Sequence, residues 1–101
     1  MASYKNVTGT ATTELLSRGS NYNNISSILL ASVNGSGTAA TVDLFIQDTS
    51  ANSFYLLKGT SIPDTVSLAL TDNVKFDNSS NGYALYIKLG AGAVDVHIKQ
   101  N

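Results

Sequence analysis

The chain has 101 residues, no cysteine and one histidine, with six Lys/Arg against seven Asp/Glu and a formal net charge of −1. That length fits one domain over residues 1–101; the missing thiols exclude a disulfide framework and a cysteine nucleophile, and the balanced charge excludes the basic surface that nucleic acid or an anionic membrane requires. Charged residues make up 13%, about half the usual share, while Ser, Thr and Asn supply 33 residues, so hydroxyls and amides must solvate the surface.

In chain order, Met1-Ala2-Ser3-Tyr4-Lys5-Asn6 has no apolar run behind a basic cluster, and no signal peptide is expected. Residues 4–16 are Thr-rich and β-prone, with Val7, Gly9 and Ala11 on one side. Residues 1–11 are therefore predicted to form an arm or an edge strand, with Tyr4 and Val7 as its contacts. Residues 12–18 offer a single turn's worth of helix. A strand is predicted near residues 25–33, where Ile28-Leu29-Leu30-Ala31 is the longest apolar run, far short of the ~20 residues that span a bilayer. Asn34-Gly35-Ser36-Gly37 has the chemistry of a hairpin turn. Val42, Leu44 and Ile46 then alternate with Asp43, Phe45 and Gln47.

Further along, Pro63 marks a connection rather than a central strand. Val66, Leu68 and Leu70 alternate with Ser67, Ala69 and Thr71. Asp77-Asn78-Ser79-Ser80-Asn81-Gly82 reads as a polar loop. Tyr83, Leu85, Ile87 and Leu89 oppose Ala84, Tyr86 and Lys88, and Gly90-Ala91-Gly92 is predicted to turn a short hairpin into Val94, Val96 and Ile98. Period-two segments with turn signals every 8–12 residues predict an all-β fold. The expectation is a small antiparallel β-sandwich or jelly roll of seven to eight strands, with barrel closure the alternative. The predicted core is Leu29, Ala31, Val33, Val42, Leu44, Ile46, Leu57, Val66, Leu68, Leu70, Phe76, Tyr83, Leu85, Ile87, Val94, Val96 and Ile98.

Chemistry is sparse. His97 stands on the polar phase of the last strand and reads as a surface residue. No Gly-x-Ser-x-Gly elbow occurs, so no Ser–His–Asp hydrolase is implied. Asp72-Asn73, Asp77-Asn78 and Asn81 gather hard oxygen donors of the kind calcium takes. They lack the spacing of a calcium loop, and Asp and Asn serve equally as turn formers. No metal and no cofactor is implied. The Asn-x-Ser/Thr matches at Asn6, Asn24, Asn34 and Asn78 are as expected from composition, and none is read as glycosylated. Four aromatic residues stand out because their phase is wrong for the core. Phe45 opposes Leu44 and Ile46, Tyr86 opposes Leu85 and Ile87, and of the adjacent Phe54 and Tyr55 one must face away. Outward aromatics imply a cover: a second subunit, the other layer of a sandwich, or a glycan.

Two runs, Ser27-Ile28-Leu29-Leu30-Ala31-Ser32-Val33-Asn34 and Ala40-Thr41-Val42-Asp43-Leu44-Phe45-Ile46, resemble the first half of small virion structural proteins of tailed phages, T4-like and marine cyanophage types above all. Tyr55-Leu56-Leu57-Lys58, Ser61-Ile62-Pro63, Val74-Lys75-Phe76-Asp77-Asn78, Tyr83-Ala84-Leu85-Tyr86-Ile87-Lys88-Leu89 and Val94-Asp95-Val96-His97-Ile98-Lys99 resemble the second half. The likeness covers roughly residues 25–100, and the order of segments carries it. It implies a non-enzymatic particle component located in the virion, with other capsid or tail proteins as partners and no catalytic or metal residues. Such a role suits a closed homo-oligomer, a trimer or another cyclic assembly, built on edge strands and outward aromatics. A capsid decoration or cement protein is the leading expectation; a tail, baseplate or fibre module that binds host-surface glycans is the other.

Overall fold

Val94, Val96 and Ile98 are buried while His97 and Lys99 lie in solvent, so the alternation of the last segment is realised in full. The computed structural model describes residues 2–71 and 74–100. Within them the chain forms β1 (Ala2–Thr8), β2 (Thr13–Leu16), β3 (Ile25–Ser32), β4 (Ala40–Gln47), β5 (Ser53–Ile62), β6 (Ser67–Leu70), β7 (Ala84–Ala91) and β8 (Ala93–Gln100), with no helix among the described residues. The strands make two four-stranded antiparallel sheets, ordered β1-β8-β3-β6 and β2-β7-β4-β5. The pairs β4·β5, β3·β6, β2·β7 and β1·β8 are nested one around the next and alternate between the sheets. This is a ribbon rolled into a sandwich, the eight-stranded jelly-roll order. Among the described residues each sheet keeps two free edges, so the two sheets form a sandwich and do not close into a barrel.

Nesting corrects two expected hairpins. Asn34-Gly35-Ser36-Gly37 joins β3 to β4 and Gly90-Ala91-Gly92 leads from β7 to β8, but in each case the strands belong to opposite sheets. Both are crossovers. Gly35, Gly37 and Gly92 take positive φ (+77°, +83° and +81°), but no two adjacent residues do, so the type I′ turn is absent along with the pairing. Gly92 shows why a side chain is excluded there: its φ is +81° and an added Cβ would lie 2.9 Å from Ala40 Cα. The β4–β5 connection is a true hairpin, closed by Asp48, whose Oδ1 accepts the amides of Ser50 (2.9 Å) and Asn52 (3.0 Å).

The segment 4–16 breaks at Gly9 (φ +81°) into β1 and β2, one in each sheet, and the helical option at 12–18 is replaced by β2 and its turn. The first strand is the edge of its sheet, paired to β8 along its whole length. Val7 opposes Val94 and is buried in the core, so it is not available as an arm contact. The pairing fixes alternate residues inward, and Val7 falls on the inner phase.

The core also corrects the phase of β3. Ile28, Leu30 and Ser32 point in, whereas Leu29 and Ala31 pair with the outward-facing His97, Ala69, Asp95 and Ser67, and Val33 is 47% exposed. This run is apolar on both phases, and a bulge at Ser26 shifts its register by one, which exchanges the two faces. Val66 is likewise exposed, just before the short edge strand β6. Leu57, Ile46, Leu68, Leu70 and Phe76 are half-buried and pack against the core from its margins. Leu89 is buried, on the same phase as Leu85 and Ile87, and residues of unremarkable sequence context complete the core: Leu16, Ile25, Ala40, Ile62 and Val74.

Candidate functional site

Three strands place aromatic side chains side by side on the outer face of the β2-β7-β4-β5 sheet. Register sets Tyr86 on β7 opposite Phe45 on β4, Phe45 beside Tyr55 on β5, and Glu14 on β2 opposite Tyr86. Phe45 stacks on Tyr86 with ring centroids 5.7 Å apart and 24° between planes, and meets Tyr55 at 5.1 Å and 41°. Both contacts fall in the range where aromatic pairs attract. Phe45 is only 6% exposed although it sits on an outer face, because its two neighbours cover it; Tyr55 remains 47% exposed.

A charged pair frames the row. Lys58 Nζ lies 4.5 Å from the Tyr55 ring centroid and 3.5 Å from Asp43 Oδ2. Asp43 Oδ1 accepts the Gly59 amide at 2.7 Å. That amide, helped by the Lys58 ammonium, holds the Asp43 carboxyl below the usual carboxylate range. Asp43 in turn raises the pKa of Lys58, which favours the ammonium form over the Tyr55 ring. Lys88 stands opposite Asp43 on β7. Solvent screens so exposed a pair; its effect is to pin Lys58 over Tyr55.

The sequence hid this arrangement. Ten residues of β5 run against eight of β4, with two one-residue bulges, one spanning Gly59 at φ +59°. Counting by twos from Tyr55 therefore misplaces Lys58. Phe54 takes the opposite phase from Tyr55, as adjacency demands: it pairs with Ile46, is 50% exposed, and meets Tyr83 edge-on at 5.9 Å. Of the four predicted contact residues, Phe45, Tyr55 and Tyr86 thus share one face and Phe54 stands on the other phase. Tyr4 is 69% exposed on the outer face of the β1-β8-β3-β6 sheet, its ring perpendicular to His97 at 4.9 Å.

The oxygen-rich segment weighed for calcium has another use. Asp72 and Asn73 lie outside the described residues. Asp77 Oδ1 accepts the Ser79 amide, and Asn81 is exposed. Asn78 is completely buried, its Oδ1 accepting the Tyr22 amide and its Nδ2 donating to the carbonyls of Ser17 and Tyr83. That oxygen is engaged in the fold, and the buried amide cannot carry a glycan. Arg18 acts nearby as a second clip, donating to the carbonyls of Gly82, Gln47 and Asp48 from one guanidinium.

No family model, curated protein or solved structure matches the chain.

Proposed function

We propose that the protein is a non-enzymatic structural component of a tailed-phage virion, a decoration or cement protein that binds the capsid. The observation that carries this is the Tyr86–Phe45–Tyr55 row, a contiguous aromatic strip on a hydrogen-bonded sheet face, with an ion pair at its margin. Aromatic anchors ringed by polar groups suit a broad protein surface, whereas a small ligand asks for a concave site. The jelly-roll order supports the reading by analogy, since viral capsid domains use it. Redox-inert composition fits a particle that persists outside the cell.

Electron microscopy of purified particles tests the proposal: density at capsomer junctions is expected, and density confined to the tail overturns it. A Tyr55→Ser/Tyr86→Ser variant should lose particle binding while keeping its fold. One observation favours a second reading, a glycan-binding tail or fibre module. Tyr55 is about half exposed on β5, with Lys58 Nζ over its ring and Asp43 beside that ammonium, as a single-ring platform for a sugar would be. A glycan array without hits removes that reading.

A further inference from the structure

Strands β8 and β3 are neighbours in one sheet, yet only β8 has an outer face suited to water. Its outward positions are Asp95, His97 and Lys99. Those of β3 are Ser27, Leu29 and Ala31, continued by Val33 past the strand end, and the adjoining β6 adds Ser67 and Ala69. Apolar residues on both faces are the pattern of a strand covered on both. Ser32 makes the inversion plain. Its hydroxyl is buried with no hydrogen-bond partner, while Val33 beside it is exposed. Because the outward side chains of β3 and β6 are mostly small, a second sheet can approach to about 10 Å over these strands, with the Tyr4 and His97 rings at the β1 margin.

We propose that this face is a two-fold interface between two copies of the chain. Charge selects the occupant. Asp95 and Lys99 flank His97 on β8, about 13 Å apart at the rise of an extended strand, and Asp95 is held in position by the Asn6 side-chain amide at 2.6 Å. A two-fold axis lying in the interface along the row Tyr4–His97–Leu29–Ala69 reverses the strand direction of the facing copy. It sets Asp95 of each copy over Lys99 of the other and Leu29 against its own counterpart, the self-complementarity a closed dimer requires. An axis running along β8 instead would oppose Asp95 to Asp95 and Lys99 to Lys99, and like charges disfavour it. The inference uses a different face from the aromatic row and does not depend on the virion reading.

Sedimentation equilibrium of the full chain is expected to give twice the chain mass of 10.6 kDa. Ala31→Lys should return the mass to that of the monomer with an unchanged far-ultraviolet spectrum and a melting temperature that, unlike the wild type's, does not vary with protein concentration. Asp95→Lys and Lys99→Asp should each weaken association by about tenfold or more, and the two together should restore it, a rescue that no folding defect imitates. A wild type that stays monomeric to millimolar concentration overturns the inference. So does an assembly that Ala31→Lys leaves intact, or a double variant no tighter than the singles. If Tyr55→Ser dissolves the assembly and Ala31→Lys does not, this interface is wrong while the capsid-binding proposal stands; a protein that dimerises as described yet never binds particles gives the converse.

Discussion

Replacing Asn78 with alanine removes three side-chain hydrogen bonds from a position without solvent exposure: 2.9 Å from the Tyr22 amide, 3.0 Å to the Ser17 carbonyl and 2.8 Å to the Tyr83 carbonyl. The main chain of the same residue accepts the amides of Gly19 and Asn21 and donates to Asn23 Oδ1 at 2.6 Å, so the side chain fixes a junction through which two connections pass. A buried group left without its partner costs about 1–3 kcal/mol. The carbonyl of Ser17, an exposed residue, can recover water; the groups of the half-buried Tyr22 and Tyr83 recover less. With the lost packing, the total is about 3–5 kcal/mol, a large share of the roughly 5–15 kcal/mol that holds a domain of this size. At about 4–8 °C per kcal/mol, the melting temperature followed by circular dichroism should fall by at least about 12 °C. Asn78→Asp keeps the acceptor for Tyr22 but turns an anionic oxygen toward two carbonyls. It should be at least as damaging at neutral pH, and its deficit against the wild type should narrow in acid, where a protonated carboxyl can donate again. A fall of less than about 4 °C for Asn78→Ala, roughly 1 kcal/mol on the same scale, would refute the view that this amide organises the loops.

Three other outcomes are expected. Ser32→Ala removes a buried hydroxyl that has no partner and should stabilise the protein by about 1 kcal/mol in urea unfolding; destabilisation would show that the hydroxyl is satisfied. Phe45→Ala should cost about 3 kcal/mol, because the ring is covered on an outer face as thoroughly as a core side chain, whereas Tyr55→Ala should stay within about 1 kcal/mol by the same assay. The carboxyls of Asp64, held low by the amides of Gly35 and Gly37, of Asp48, held low by Asn52, and of Asp77, held low by Ser79, are depressed in the fold. Their contribution is complete above the unfolded carboxylate value of about 3.9 and disappears as pH falls through the lower folded values, so the melting temperature should drop below about pH 4 and drop less steeply in Asp64→Asn.

How far the sequence speaks depends on whether one face of a strand differs from the other. Strands β7 and β8 could be read because Leu85, Ile87, Val94, Val96 and Ile98 alternate with residues of another character. Strand β3 could not, since Ile28-Leu29-Leu30-Ala31 offers two equal faces and the bulge at Ser26 leaves no mark in composition. Phe45 and Tyr86 were legible as outward aromatics for the same reason that β7 and β8 were. Their junction with Tyr55 and Lys58 was not, because the bulges of β5 break the count. Strand partners were also out of reach: a Gly-rich connection is the same sequence whether it folds back within a sheet or crosses to the next. Asn78 and Arg18 illustrate the last limit. A polar residue in a polar segment looks solvated until its partners, 29–64 residues away for Arg18, are placed around it.

The low charge of the chain acquires a physical sense from where its acids sit. Asp43, Asp48, Asp64 and Asp77 each accept backbone amides at a bulge or turn, and Asp95 accepts from Asn6. Carboxylates engaged in this way shape loops and leave the sheet faces to small, hydroxylic and aromatic side chains. The two outer faces then differ in kind, one carrying an aromatic strip and the other an apolar stripe flanked by opposite charges. Two copies joined through the β1-β8-β3-β6 sheets would stack four layers and direct their aromatic faces outward on opposite sides. Such a dimer is bivalent with sites that cannot both engage one flat surface, so avidity on a single shell is excluded by geometry. It should instead bridge two partners. Mixed with particles that bind it, the wild type should raise turbidity by cross-linking them, while Ala31→Lys should bind at similar occupancy without bridging; equal turbidity from both would mean that the aromatic faces are not arranged back to back.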